Sequence, residues 1–164
     1  MIPLPLVIPE TPRLAINDFA KVFRNPATGQ HSLHAAAFFD AGDVICTFTA
    51  QETYTTPSYL TLQTGLHKHI ALAPECLQFT NHSCNPNVFF DTDKMELIAL
   101  RSIQPDDEMV FFYPSTEWQM ASPFLCTCGS SKCLGTIAGA AVLKQEQLDA
   151  YRLTSFILLQ IQNR

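Results

Sequence analysis

Four cysteines constrain this chain more than anything else in it. Cys126, Cys128 and Cys133 form a C-x-C-x4-C cluster within Phe124-Leu125-Cys126-Thr127-Cys128-Gly129-Ser130-Ser131-Lys132-Cys133. Cys84 lies upstream in the dense polar turn Asn81-His82-Ser83-Cys84-Asn85-Pro86-Asn87. Gly129-Ser130 permits a tight reversal that returns Cys133 toward the first two thiols. Three thiolates leave one corner of a tetrahedron open, and a structural zinc site closes it with a fourth protein ligand, for which Cys84 is the candidate. Zinc would then tie the C-terminal segment to the polar turn, with a binding free energy on the order of 10 kcal/mol in small domains. Disulfides are the competing use of six cysteines, but the clustering of three of them suits a metal better.

At 164 residues one folded domain is the default. With 47% hydrophobic residues the chain can bury a core and is not a disordered composition. A net charge of -5 gives no basic footprint for direct nucleic-acid binding, and an acidic surface suits a basic partner such as a lysine-rich tail. No apolar run reaches the roughly 18 residues of a membrane span. The start, Met1 to Pro9, is apolar but has no basic residues and is broken by prolines, unlike a secretory signal. The expected location is intracellular, cytoplasmic or nuclear.

The pattern along the chain is one of short β-rich runs between turns. Residues 1–28 read as a proline-rich arm with a first strand near Phe19-Ala20-Lys21-Val22-Phe23. Further strands are expected at residues 32–37, 44–48, 60–63 and 70–73. Residues 88–90 and 95–100 read as a hairpin across Asp91-Thr92-Asp93-Lys94, and Met109-Val110-Phe111-Phe112-Tyr113 as a strand after the turn at Pro105-Asp106-Asp107. From about Lys144 to Gln162 there is no Gly or Pro, and the apolar spacing predicts a helix. That helix must bury against its own domain or against a second copy, so a homodimer through it is an expectation to test. Trp118, in Ser115-Thr116-Glu117-Trp118, is expected to pack, and the segment suggests no chemistry.

The polar turn and the cysteine cluster resemble two signature stretches of the SET-domain protein-lysine methyltransferases with a post-SET zinc tail, and the resemblance runs over residues 29–135. It implies a mostly β, α+β fold: a β-clip of small curved sheets with a knot-like crossing near the active site and a C-terminal helix. The implied organisation is an arm and first strand at 1–28, the SET domain at 29–114, a zinc-binding segment at 115–138 and the C-terminal helix at 139–164. In this family the four matching thiols, Cys84, Cys126, Cys128 and Cys133, hold zinc. The family's Gly-Glu-Glu-Leu-x-(Phe/Tyr)-Asp-Tyr stretch matches Asp106-Asp107-Glu108-Met109-Val110-Phe111-Phe112-Tyr113, which puts Tyr113 in the place of the catalytic tyrosine. Asn81 and His82 match positions that hold S-adenosylmethionine. The strand opening Gly29-Gln30-His31-Ser32-Leu33 matches the Gly-x-Gly cofactor strand, so Gly29, His31 and Leu33 join Asn81, His82, Tyr113 and Phe124 as cofactor-binding candidates. His31 in place of the second glycine and Phe112 in place of Asp are departures from the family pattern.

The resemblance implies methyl transfer from S-adenosylmethionine to a lysine ε-amine of a protein, a histone tail or another basic segment. Phe111, Phe112 and Tyr59 are the expected walls of the lysine channel. Apolar walls favour the neutral amine by desolvation, and aromatic faces attract the cation first. Phe111 occupies the family position where Phe or Tyr governs the number of methyls added, and Phe implies di- or trimethylation. The alternatives are a catalytically silent SET-like binding module, which His31 and Phe112 favour, and a zinc-only interaction domain. The protein substrate and the target lysine are not written in the sequence.

Overall fold

The computed structural model describes residues 14–164; the first thirteen residues of the proline-rich arm lie outside them. The described residues form thirteen short strands and two short α-helices. The strands are β1 (Leu14–Asn17), β2 (Ala20–Arg24), β3 (His31–Ala35), β4 (Val44–Thr47), β5 (Thr49–Tyr54), β6 (Thr61–Gly65) and β7 (Lys68–Ala73). They continue with β8 (Asn81–His82), β9 (Val88–Asp91), β10 (Glu96–Ala99), β11 (Val110–Phe111), β12 (Phe124–Leu125) and β13 (Thr136–Ile137). The helices are α1 (Gln145–Leu148) and α2 (Ser155–Gln162).

Three small antiparallel sheets, ordered β1-β2-β3, β4-β10-β9 and β5-β7-β6, enclose the main core. The core-facing residues follow the period of a half-buried strand: Val22 and Ala20 on β2 face inward with Leu33 and Ala35 on β3. In contrast, β9 (Val-Phe-Phe-Asp) is buried on both faces. Phe48, Phe90, Ile70, Leu77, Leu97, Ile103 and Met109 fill the centre. The expected β9–β10 hairpin is present, with Phe90 opposite Leu97, and its turn places Met95 at φ 57.

The polar turn wraps the strand that carries the tyrosine. β8 runs parallel to β11, pairing Asn81 with Val110 and His82 with Phe111. Beyond it the Ser83 amide donates to Phe111 O at 3.0 Å and the Asn87 amide to Val110 O at 3.0 Å. The Asn87 side chain closes the loop from its own side, accepting from the Val110 amide and donating to Glu108 O, both at 2.8 Å. The amide and both side-chain polar atoms of Asn87 are thus used to hold residues 108–110 in the crossing, and so the turn needs its dense polar composition.

Two expectations require correction. Residues 144–162 do not form one helix: the chain leaves α1 at Asp149 and re-enters at Ser155, capped by Thr154, whose hydroxyl accepts from the Ile157 amide. The break is tertiary in origin. Tyr151 donates its hydroxyl to Cys84 O at 2.7 Å, Arg152 pairs with Asp91 at 3.3 Å, and the Thr154 amide and hydroxyl both reach Ser115 O at 3.0 Å. A continuous helix would carry these groups away from their partners. Sequence analysis also passed over β5, the outer strand of the β5-β7-β6 sheet. Its residues are exposed along its whole length, so it shows no hydrophobic alternation to detect.

A second, smaller core of Phe112, Ala140, Leu143, Leu148 and Ile157 buries the C-terminal helices against the chain itself. The apolar residues that prompted the dimer expectation therefore find cover within one copy, apart from the half-exposed Leu158 and Leu159. No helix among the described residues is long and apolar enough to cross a membrane.

Candidate active site and zinc centre

Tyr113 lies two residues beyond β11 and is held from both ends. Its amide donates to His82 Nδ1 at 3.2 Å, and its hydroxyl donates to Thr80 O at 3.3 Å. Burial, with the nearby Glu117 and Glu108 carboxylates, pushes the phenol up to about 12. At neutral pH it is therefore a fixed, uncharged hydrogen-bonding group and not a base.

His82 links this tyrosine to the cysteines. Because Nδ1 accepts from the Tyr113 amide, the ring proton sits on Nε2, which faces Cys84 Sγ at 3.3 Å and donates to it. Burial drives the imidazole down to about 4, so this neutral tautomer persists across the physiological range. The sulfurs of Cys84, Cys126, Cys128 and Cys133 all lie within 4.8 Å of one another, with Cys84 and Cys126 at 4.0 Å. A zinc ion with Zn–S bonds of about 2.3 Å needs sulfurs roughly 3.8 Å apart, so the four thiols fit a closed tetrahedral site. The Leu134 amide also points at Cys84 Sγ at 3.4 Å and the Cys128 amide at Cys126 Sγ at 3.4 Å, the outer-shell donors a thiolate site calls for.

Beside Tyr113 opens a cavity of about 480 Å³, within the range of small-ligand sites. Gly29, His31, Asn81, Phe124, Tyr59 and Glu117 line it, with Phe111 and Tyr113 also on its wall. Asn81 Nδ2 donates to His31 O at 2.9 Å and to Glu108 Oε1 at 3.0 Å. The His31 ring stacks on Phe79, with centroids 4.6 Å apart. Phe124 meets Tyr113 and His82 edge-on at 5.9 and 5.7 Å. Gly29 adopts φ +73, and a β-carbon there would stand 3.2 Å from the Arg24 guanidinium; a glycine suits both demands.

The family model for the SET domain matches residues 30–114, just over half of the chain. The chain belongs to the SET-domain family. Among curated proteins, it is similar to the methyltransferase flvH of Aspergillus flavus, 41% identical over 102 residues, which are 61% of this chain and 57% of the relative. An H3 lysine-36-specific histone-lysine N-methyltransferase of Chaetomium globosum is 43% identical over 68 residues, 38% of this chain and 8% of that protein. The chain thus spans little more than half the length of the first relative and a small part of the second. Among solved structures, KRYPTONITE in complex with mCHG DNA and SAH superposes with a TM-score of 0.54 at 22% identity, over 70% of this chain and 28% of that one. This last likeness carries the fold.

Within this SET fold, seven of the expected site residues share the cavity: Gly29, His31, Tyr59, Asn81, Phe111, Tyr113 and Phe124. Tyr59 stands at its rim, 86% exposed. Three do not line it. Leu33 is buried in the main core, where its carbonyl accepts from the Met109 amide; as the inward residue of β3 it faces away from a ligand. Phe112 points to the opposite side of the strand from Phe111, as neighbouring strand residues must, and stacks on Tyr151 in the second core. His82 stands behind Tyr113 and reaches the cysteines. Glu117, in a segment that suggested no chemistry, lines the cavity while nearly fully buried. Its signal was there, a carboxylate in an otherwise uncharged stretch between Tyr113 and Cys126. Trp118 packs at the second core as expected, its amide bonded to Gln63 Oε1 at 2.8 Å.

Proposed function

We propose that this chain transfers a methyl group from S-adenosylmethionine to an amine, with a protein lysine ε-amine as the expected acceptor. The observation that carries the reading is the uncharged Tyr113 hydroxyl, fixed at a cavity whose wall also holds Gly29, His31, Asn81 and Phe124. S-adenosylmethionine supplies an activated methyl on sulfur, and those four residues, backed by His82, are the ones to hold it.

Methyl transfer from a sulfonium to nitrogen is an in-line displacement, so the protein contributes alignment and a neutral nucleophile. Phe111, Leu62 and Leu72 give the cavity an apolar lining, which favours the neutral amine over the ammonium by desolvation. Tyr113 orients the amine through its hydroxyl and places partial negative charge near the developing positive centre. Its backbone is held by His82, so the reacting geometry rests on the crossing of β8 and β11. The departures that favoured a silent module have structural accounts. His31 stacks on Phe79 and offers its main chain to Asn81, and Phe112 belongs to the second core.

The similarity to histone-lysine methyltransferases supports a histone tail or another basic segment as substrate and an intracellular, nuclear site of action. Calorimetric titration of the zinc-loaded protein with S-adenosylmethionine tests the cofactor step. Micromolar binding, about -8 kcal/mol, should weaken strongly in Asn81→Ala. Incubation with histone H3 and labelled cofactor then tests transfer, which Tyr113→Phe should abolish while leaving cofactor binding intact. Undiminished turnover in that variant would refute the assignment of Tyr113.

A further inference from the structure

We propose that the Glu117 carboxylate is the docking point for the cationic amine of the substrate, resting on the methyltransferase reading above. Glu117 follows Tyr113 by one turn, its amide bonded to Tyr113 O at 3.0 Å. Its backbone carbonyl accepts from the Ala140 amide at 2.9 Å, and its side chain is clamped from the other direction. Both hydrogen bonds to the carboxyl within the described residues fall on Oε1, from the Gln63 amide at 2.8 Å and the Thr116 hydroxyl at 3.1 Å. That leaves Oε2 for the cavity the residue lines.

A largely buried carboxylate is costly to ionise unless a cation meets it. Among the described residues no Lys or Arg lines this cavity, and Glu117 is its one carboxylate; His31 and the Tyr59 and Tyr113 phenols complete its titratable lining. The described elements packed against Glu117 bring no cation either: β6 presents Gln63, and residues 139–140 present main chain. An alkylammonium has the charge and donors to match. Gln63 belongs to β6, so Glu117 is fixed to the strand that brings Thr61 and Leu62 to the cavity. An amine held there shares the cavity with Tyr113, whose phenol feels the Glu117 carboxylate. Burial pushes the carboxyl up to about 7, against the pull of its two hydrogen bonds, so it is poised to ionise when a cation arrives.

The test uses the zinc-loaded full chain saturated with S-adenosylhomocysteine and two probes of equal length, n-butylammonium and n-butanol. The expected result is saturable binding of the ammonium, weaker or no binding of the alcohol, and a loss of about tenfold or more in ammonium affinity in Glu117→Gln. Gln keeps an oxygen for the Gln63 and Thr116 bonds, so S-adenosylhomocysteine affinity should persist. Equal ammonium affinity in wild type and E117Q, with S-adenosylhomocysteine bound by both, overturns the proposal alone. Failure of the wild type to bind S-adenosylhomocysteine overturns the methyltransferase reading as well. If E117Q does not fold, the wild-type pH profile decides. The ammonium stays charged from about pH 5.5 to about pH 8.5, so affinity that rises through about pH 7 supports the docking role, and a flat profile overturns it.

Discussion

Phe112→Leu separates a packing role from a channel role. Phe112 is 2% exposed, and its ring lies flat on Tyr151 with centroids 3.6 Å apart and planes 7° apart. Leucine keeps the apolar burial but loses the ring-on-ring contact, which is worth about 0.5–1.5 kcal/mol. The change of shape in a closed core adds roughly 1 kcal/mol. A total near 2 kcal/mol corresponds to a fall in Tm of about 4–8 °C for a chain of this size. Thermal unfolding of the zinc-loaded protein, followed by circular dichroism, measures it, and a double-mutant cycle with Tyr151→Leu should return a coupling of about 0.5–1.5 kcal/mol. S-adenosylmethionine affinity and the substrate KM should stay as in wild type. Additive single effects, or a severalfold rise in KM with Tm unchanged, would refute the assignment and return Phe112 to the channel.

Cys84→Ser, or removal of zinc by a chelator, should release the segment that carries Phe124 and weaken S-adenosylmethionine binding at least about tenfold. Bound zinc measured by elemental analysis and the fluorescence of the single tryptophan report the two parts separately, and one full zinc per chain in the variant would contradict the four-thiol site. Phe111→Tyr should shift the product toward monomethyl-lysine, because the Phe111 ring sits 4.7 Å from that of Tyr113 on the cavity wall and a hydroxyl there takes up space; mass spectrometry of the product at full turnover reads this directly. Gly139→Ala should cost about 2–4 kcal/mol, since Gly139 adopts φ +111 and a β-carbon would stand 2.4 Å from Trp118 O; a denaturation midpoint equal to wild type would count against this close approach.

The parts of the site written in contiguous motifs were legible. The thiol spacing and the polar turn announce the zinc centre because metal geometry demands particular residue types at short separations. The strands β2, β3, β4, β7, β9 and β10 were readable from apolar runs bounded by turns. The direction of side chains was not readable at β11, where three aromatics follow one another in Phe111-Phe112-Tyr113 and no polar residue marks which face is wet. Register alone assigns Phe111 to the cavity and Phe112 to the second core. The helix break was hidden for a similar reason. Nothing in residues 149–154 forbids a helix, and only Cys84 O, Asp91 and Ser115 O, distant in sequence, draw Tyr151, Arg152 and Thr154 out of it.

These long-range ties also explain why the cavity is not a property of the SET segment alone. The family match ends at residue 114, yet Glu117, Met120, Ser122 and Phe124 line the cavity. Contacts beyond the match help to place three of them. Glu117 is clamped between Gln63, inside the match, and Ala140, outside it; the Met120 amide donates to Ala138 O; and Phe124 stands in the β12–β13 pair two residues before a thiol ligand. Cys84 joins the two halves: its sulfur belongs to the metal cluster, its carbonyl receives the Tyr151 hydroxyl, and its neighbour His82 holds the Tyr113 amide. The four-thiol cluster, the second core and Tyr113 therefore converge on residues 82–84. A lesion in the C-terminal helices, far from any substrate, should be felt at Tyr113 through that short segment before it is felt in the sheets.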